Sequence, residues 1–312
     1  MDPVGVEETG DVRAGTRWLL VAFAVLTLLA VLQLLLLADV ADRYWAWTIR
    51  TELTAAFLGA AYGGGFVLSV VALRQPDWSR IRLPVLTVTA FTWLTGAATL
   101  IHLHRLHLVD GWPFARVVAW VWLAVYLVVP VACLVVVVRQ ERRRVRHPRV
   151  LRHMPDGLIA ALAVEGAVFF AAGVLLFAGG MTVHHDEPRS AARFWPWELT
   201  PLSAQIIGAW LIALGVAAGL AIVQGDVGRQ LVAATTYTAF GVFEVVAIAW
   251  YWPQLNRHDA WLWAWLTFLG AVVVTGALGI RAVRAAGVAG SAVDADDGGR
   301  APVTASSGRP ES

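Results

Sequence analysis

The chain has 312 residues, 58% of them hydrophobic and only 15% charged. That is too apolar and too weakly charged for an ordinary soluble domain of this length, and it points to a bilayer. A formal net charge of +2 gives no general attraction for nucleic acid, and a single cysteine, Cys133, excludes an intramolecular disulfide or a cysteine metal cluster.

Apolar runs long enough to cross a membrane predict eight helices, near 17–38, 52–73, 83–103, 114–138, 157–179, 202–223, 230–251 and 261–282. They are continuous rather than alternating, which selects helices over barrel strands. Residues 1–16 carry Asp2, Glu7, Glu8 and Asp11 and read as a cytoplasmic segment ahead of a retained first helix. After that helix comes Trp45-x-Trp47, and the second run contains the triplet Gly63-Gly64-Gly65, which serves close helix packing or a local break. The third run carries Thr92, Thr95 and Thr99 at helical spacing and ends near His102, His104 and His107. The fourth holds Trp120-x-Trp122 and Cys133, whose expected role is a buried thiol.

Residues 139–156 form an arginine-rich linker, with seven arginines between Arg139 and Arg152. The expected role of that stretch is a topology signal in contact with anionic lipid. Beyond it, the fifth run contains Glu165, and the loop 180–201 holds His184, His185 and the turn Trp195-Pro196-Trp197. That loop should be irregular, with room for a short interfacial helix. Gln205 lies in the sixth run, Tyr237, Gly241 and Glu244 share one face of the seventh, and the region 286–312 reads as a disordered cytoplasmic tail.

Residues 53–91 and 202–240 align without a gap at an offset of 149, with 13 of 39 positions identical. The matches include Gly59 with Gly208, Gln75 with Gln224, Asp77 with Asp226, Arg80 with Arg229 and Phe91 with Phe240. Trp45-x-Trp47 meets Trp195-x-Trp197, and Trp120-x-Trp122 meets Trp263-x-Trp265. The expected fold is therefore an all-α polytopic membrane protein built of two parallel four-helix repeats, residues 17–138 and 157–282. Four spans per repeat keep both copies in the same orientation, facing one another across a central seam. Of 24 arginines, 17 fall in the termini and in the loops near 74–82, 139–152 and 225–229. The positive-inside rule then puts both termini in the cytoplasm of a multi-pass plasma-membrane protein.

Charges within hydrocarbon carry the most functional weight, because each costs at least about 2.5 kcal/mol there unless paired or hydrated. Glu165 should lie about 12 Å into its span and Glu244 about 20 Å into its own, at 1.5 Å per residue. Glu244, neutral when unpartnered, could line a hydrated cavity with Thr92, Thr95, Thr99, Tyr237 and Gln205 and bind a cation or small polar solute, with Glu165 at another depth. The bland alternative is that both acids are packing contacts between helices. Trp45, Trp47, Trp195 and Trp197 sit at the outer span ends, where they serve as interfacial anchors or as a rim that docks a partner. The outer histidines His102, His104, His107, His184 and His185 are weak candidates for a metal or haem site, since their spacing matches no ligand motif. The readings that follow are a transporter or channel-like solute handler, a partner-docking membrane subunit, or an outward-facing metal or haem enzyme. No cofactor is required by any motif, and none fixes an oligomeric state.

Overall fold

The computed structural model describes residues 4–9, 11–142, 145–150, 152–182 and 194–298. Its helices in chain order are α1 (Ala14–Val31), α2 (Ala41–Tyr44), α3 (Glu52–Leu73), α4 (Trp78–Ile101), α5 (Pro113–Glu141), α6 (Asp156–Thr182), α7 (Pro201–Gln224), α8 (Leu231–Trp250) and α9 (Ala260–Gly298). All but the one-turn α2 are long and apolar enough to cross a bilayer, as the sequence predicts, and the chain is an integral, multi-pass membrane protein.

Local chemistry sets the helix limits. Thr51 and Thr200 accept hydrogen bonds from the amides of Thr54 and Ser203 and so cap α3 and α7. Pro113 and Pro201 occupy first helical positions, where a missing N–H costs nothing. Gly225 ends α7 with φ of 61°, a left-handed geometry that glycine adopts freely. α1 closes in a π-helical turn, Leu32–Leu36.

Three boundaries differ from the sequence reading. α4 begins at Trp78 rather than near 83, because Arg82 is not left as a bare charge: it pairs with Glu141 at 2.8 Å, and Trp78 donates to the same carboxylate at 2.9 Å. α9 continues through Gly298, so the expected irregular tail is helical for its first dozen residues, in keeping with its alanine content. Outside the spans, β1 (Val4–Thr9) and β2 (Val145–Val150) pair antiparallel, with Val4 opposite Val150 and Thr9 opposite Val145. These strands join the N-terminal segment to the arginine-rich linker, a contact that polar residues in a linker do not announce. Residues 183–193 of the expected loop 180–201, including His184 and His185, lie outside the described residues, as does the tail beyond Gly298.

α3, α4, α7 and α8 form the interior, and α1, α5, α6 and α9 present most of their side chains outward. The contacts come in pairs. α1 lies on α3 and α6 on α7; α5 lies on α4 and α9 on α8; across the middle, α3 meets α8 and α4 meets α7. Backbone bonds are paired too: Val12 N–H donates to the Pro76 carbonyl and Met154 N–H to that of Gly225, each holding the chain before a helix against an interhelical loop.

Since lipid tails are as apolar as leucine, helices in a bilayer gain little from hiding side chains and associate through close contact instead. The α6/α7 contact does this with glycines at intervals of seven, Gly166, Gly173 and Gly180 against Gly208 and Gly215. A Cβ on Gly208 would stand 2.7 Å from the Gly173 carbonyl oxygen. Gly63 and Gly64 similarly admit Phe243 and Phe240 of α8, so the glycine triplet is a close-packing surface and not a helix break.

Gly208→Val should therefore destabilise the protein by about 1–3 kcal/mol or prevent its assembly. Gly219→Val, on the same helix but with nothing within 4 Å of the added carbon, should leave stability unchanged. Thermal unfolding midpoints in detergent compare the two; equal midpoints would remove the glycine contact as a determinant of the fold.

Candidate functional site

Polar groups in the interior fall into three places. At the tryptophan-bearing end of the bundle, the Trp-x-Trp segments turn inward. Trp45, Trp47 and Trp195 are almost wholly buried and Trp197 is half-buried. Trp47 Nε1 donates to Ser203 Oγ at 3.4 Å and Trp197 Nε1 donates to Thr54 Oγ1 at 3.1 Å. The two bonds are reciprocal: each indole comes from one loop and each hydroxyl from the first turn of a helix belonging to the other half of the chain. Trp122 packs on Trp47 and Trp45 at 4.9 and 5.5 Å, and Trp265 packs on Trp195 at 4.9 Å. Trp45, Trp47 and Trp195 are therefore core rather than rim, while Trp112, Trp120, Trp250, Trp261 and Trp263 are among the exposed tryptophans. A buried indole N–H calls for an acceptor, and for Trp47 and Trp197 the first-turn hydroxyls of α7 and α3, Ser203 and Thr54, provide it.

The histidines nearby do not gather. α4 ends at Ile101, so His104 lies in a 3-10 turn rather than on a helix face shared with His107. His107 contacts Thr48 Oγ1 at 3.1 Å and the Trp45 carbonyl at 3.2 Å. His102 is buried beside Gln205 and Gly180; burial first, and then His104, lowers its pKa from the ordinary value. Gln205 donates to the Phe177 carbonyl at 3.1 Å. Among the described residues no three His, Cys, Asp or Glu side chains stand close enough to hold a metal ion.

The second place is the middle of the bundle. Glu244 on α8 has no exposed surface, and neither carboxyl oxygen has a hydrogen-bond partner. Thr95, at the matched position on α4, is equally buried and its hydroxyl is also without a partner. Thr99 donates to the Thr95 carbonyl at 2.8 Å and accepts from Trp122 Nε1 at 3.0 Å, and Thr92 donates to the Thr89 carbonyl. The residues grouped with Glu244 by helical spacing thus go elsewhere. Gly241 sits against Val273 of α9, Gln205 belongs to the histidine region, and Tyr237 faces the other glutamate.

That glutamate makes the third place. Glu165 Oε1 accepts from Thr275 Oγ1 at 2.8 Å; Tyr237 lies near the same carboxyl, but its hydroxyl and Glu165 Oε2 make no hydrogen bond. All three are buried, on α6, α9 and α8. Tyr237 and Thr275 also line a cavity of about 70 Å³. One wall comes from Leu68, Pro84 and Thr87 of α3 and α4, the other from Leu214 and Thr236 of α7 and α8, so the cavity straddles the two halves of the chain. Its exposed lining is almost wholly apolar, so the space is of a size for a very small solute but offers water few partners. Sequence reasoning found Glu165 and Tyr237 but not Thr275; the only sign was a lone hydroxyl in the apolar run Val272-Val273-Val274-Thr275.

The toward-loop pairs Asp77/Arg80 and Asp226/Arg229 also differ. Arg80 meets Asp77 at 3.7 Å in an exposed pair, whereas Arg229 meets Asp226 at 3.1 Å with both buried, and Asp226 caps its turn through the Gly228 amide. The second is a structural anchor; exposed pairs of the first kind contribute little.

Glu244→Met should raise the unfolding midpoint, because a carboxyl buried without partners costs on the order of 1–3 kcal/mol relative to an apolar side chain of similar size. Thermal unfolding in detergent checks this, and a lowered midpoint would mean that Glu244 holds a stabilising contact. No family model matches the chain, and no curated protein and no solved structure matches it.

Proposed function

We propose that the chain is a carrier of a small solute, built from two like-oriented four-helix repeats, and that Glu165 exchanges a proton during its cycle. The duplication is supported by 13 identities in 39 aligned positions, by the paired helix contacts and by the reciprocal indole bonds. Repeats of this kind rock against one another about a site at their seam. The observation that carries the reading is the cavity bounded by both halves, with Thr275, the hydrogen-bond partner of the buried Glu165, in its wall.

An ionisable group inside a membrane is costly and marks a functional position by default. Glu165 suits proton exchange better than Glu244, because it has a hydroxyl partner in Thr275, which lines a cavity, whereas neither oxygen of Glu244 has a partner. Thr275 can donate to a carboxylate or accept from a carboxylic acid, and so can serve both protonation states. In the same proposal the arginine-rich end faces the cytoplasm of a plasma-membrane protein, with Arg139 to Arg152 against anionic headgroups.

Proteoliposomes on a solid-supported membrane, challenged with panels of amino acids, organic acids, sugars and amine cations, should give a proton-coupled current for at least one class. Glu165→Gln should lower that current at least tenfold while preserving the unfolding midpoint, and Thr275→Val should lower it less. Silence across all panels, or a current unaltered by Glu165→Gln, would remove the carrier reading.

A further inference from the structure

The carrier reading leaves Glu244 unused, yet this acid is fully buried and both its carboxyl oxygens are without a partner. A polar group kept in that state costs folding free energy, and it calls for a state of the protein in which it is met.

Its place relative to Glu165 follows from two helices and one ring. α6 and α8 start side by side, because Met154 just before the first donates its N–H to the carbonyl of Gly225, ahead of the second, and so they run in the same direction. On α6, Phe169 stands one turn beyond Glu165 on the same face. Phe169 is fully buried, and its ring meets Tyr237 and Phe240 of α8, each at 5.9 Å. Tyr237 lies near Glu165, and Glu244 stands one turn beyond Phe240 on the same face of α8. Along the bundle the order is therefore Glu165 with Tyr237, then the Phe169 ring with Phe240, then Glu244. Tyr237 and Glu244 are about 10 Å apart along the axis, at 1.5 Å per residue. Phe268 and Trp265 of α9 close another side of the ring at 4.8 and 6.4 Å. The seam cavity is lined by Tyr237 and Thr275 but not by Phe169 or Glu244, so it stops on the Glu165 side of the ring.

The first half shows the same place without a ring. The position matching Phe169, at the offset that relates Val12 to Met154, is Thr27, and those matching its four ring neighbours are Val88, Phe91, Trp122 and Val125. All five line a groove of about 430 Å³ walled by α1 and α5. Leu29, Val117 and Val121 on its walls are about half exposed, so the groove opens toward lipid. One half fills this space with a phenylalanine and the other, with a threonine, leaves it open.

We propose that Glu244 and Glu165 are two stations of one proton path and that the Phe169 ring is the gate between them. An apolar constriction of this kind resists wetting, so with the ring in place no water joins the carboxyls. When the ring moves aside, water enters between α6 and α8. Glu244, as the acid, then gives a proton to one end of that water chain, and the Glu165 carboxylate takes a proton from the other end. Glu244 is left as a carboxylate until it is protonated again from the tryptophan-bearing side. The Tyr237 hydroxyl and Glu165 Oε2 are also without partners, and each can bond to the entering water. Chains of acidic groups serve as proton relays in membrane proteins generally. This path rests on the reading of Glu165 as the exchanging group and needs no particular solute.

Proteoliposomes loaded with a pH-sensitive dye, energised by a potassium gradient and valinomycin with no solute present, test this. Phe169→Ala, which removes the ring, should raise passive proton flux at least tenfold over the unaltered protein. Adding either Glu244→Gln or Glu165→Gln should return the flux to the unaltered level. Phe169→Leu keeps most of the side-chain volume and should raise the flux at least twofold, with the same dependence on both acids. The alanine variant decides the matter where it folds, and the leucine variant otherwise. No rise in the deciding variant, or a rise that persists with either glutamine, would overturn the proposal. A leak that follows both acids without any solute current would count against the carrier reading alone, and a solute current without the leak against the gate alone.

Discussion

The architecture depends on how apolar helices hold one another in an apolar solvent. Inside hydrocarbon every backbone N–H and C=O is satisfied within its own helix, so the spans form readily, but nothing in their hydrophobicity pulls them together. Association must come from close approach and from the few polar side chains that find each other. The glycine series on α6 and α7 provides the first, and the indole bonds from Trp47 to Ser203 and from Trp197 to Thr54 provide the second. Each of these bonds joins a loop of one half to a helix start of the other. Because the acceptors also cap α3 and α7 through Thr51 and Thr200, helix formation and docking of the halves share atoms.

The helices were legible because their signal is summed over some twenty residues, and no tertiary detail reverses it. The depth of individual tryptophans was not. Trp120 and Trp122 stand two apart in one helix, hence on nearly opposite faces, and the first is exposed while the second is buried; Trp263 and Trp265 repeat the pattern. Composition at a span end cannot tell an indole lying in the headgroups from one folded back between helices. The polar site was half legible for a related reason. Helical spacing correctly put Tyr237 and Glu244 on neighbouring turns, but spacing within α8 says nothing about which helix faces each one. Tyr237 meets Phe169 of α6, and the partner of Glu165, Thr275, is a single hydroxyl among valines. Pairings between distant helices are fixed by crossing geometry, which no local pattern encodes.

Under the proposed duplication, the two halves share many positions and differ at others. Matched positions keep the glycine contacts at Gly59 and Gly208, the caps at Thr51 and Thr200, and the buried indoles at Trp122 and Trp265. They diverge at the polar and bulky sites. Glu165 and Tyr237 stand where the first half has Phe23 and Val88, and Phe169 stands where it has Thr27. The ionisable group and the open groove have thus gone to different halves.

That division has a physical logic. A carboxyl within hydrocarbon needs a polar partner and shelter from lipid, which the second half gives Glu165 through the Thr275 hydroxyl and its burial near Tyr237 and Phe169. An opening to the bilayer would expose such a carboxyl to acyl chains that cannot solvate it. Leu68, Thr87, Leu214 and Thr236 line both the groove and the seam cavity, so one wall separates the lipid-facing space from the glutamate's. Two unlike environments can therefore lie side by side in one bundle, each kept stable by what the other half excludes.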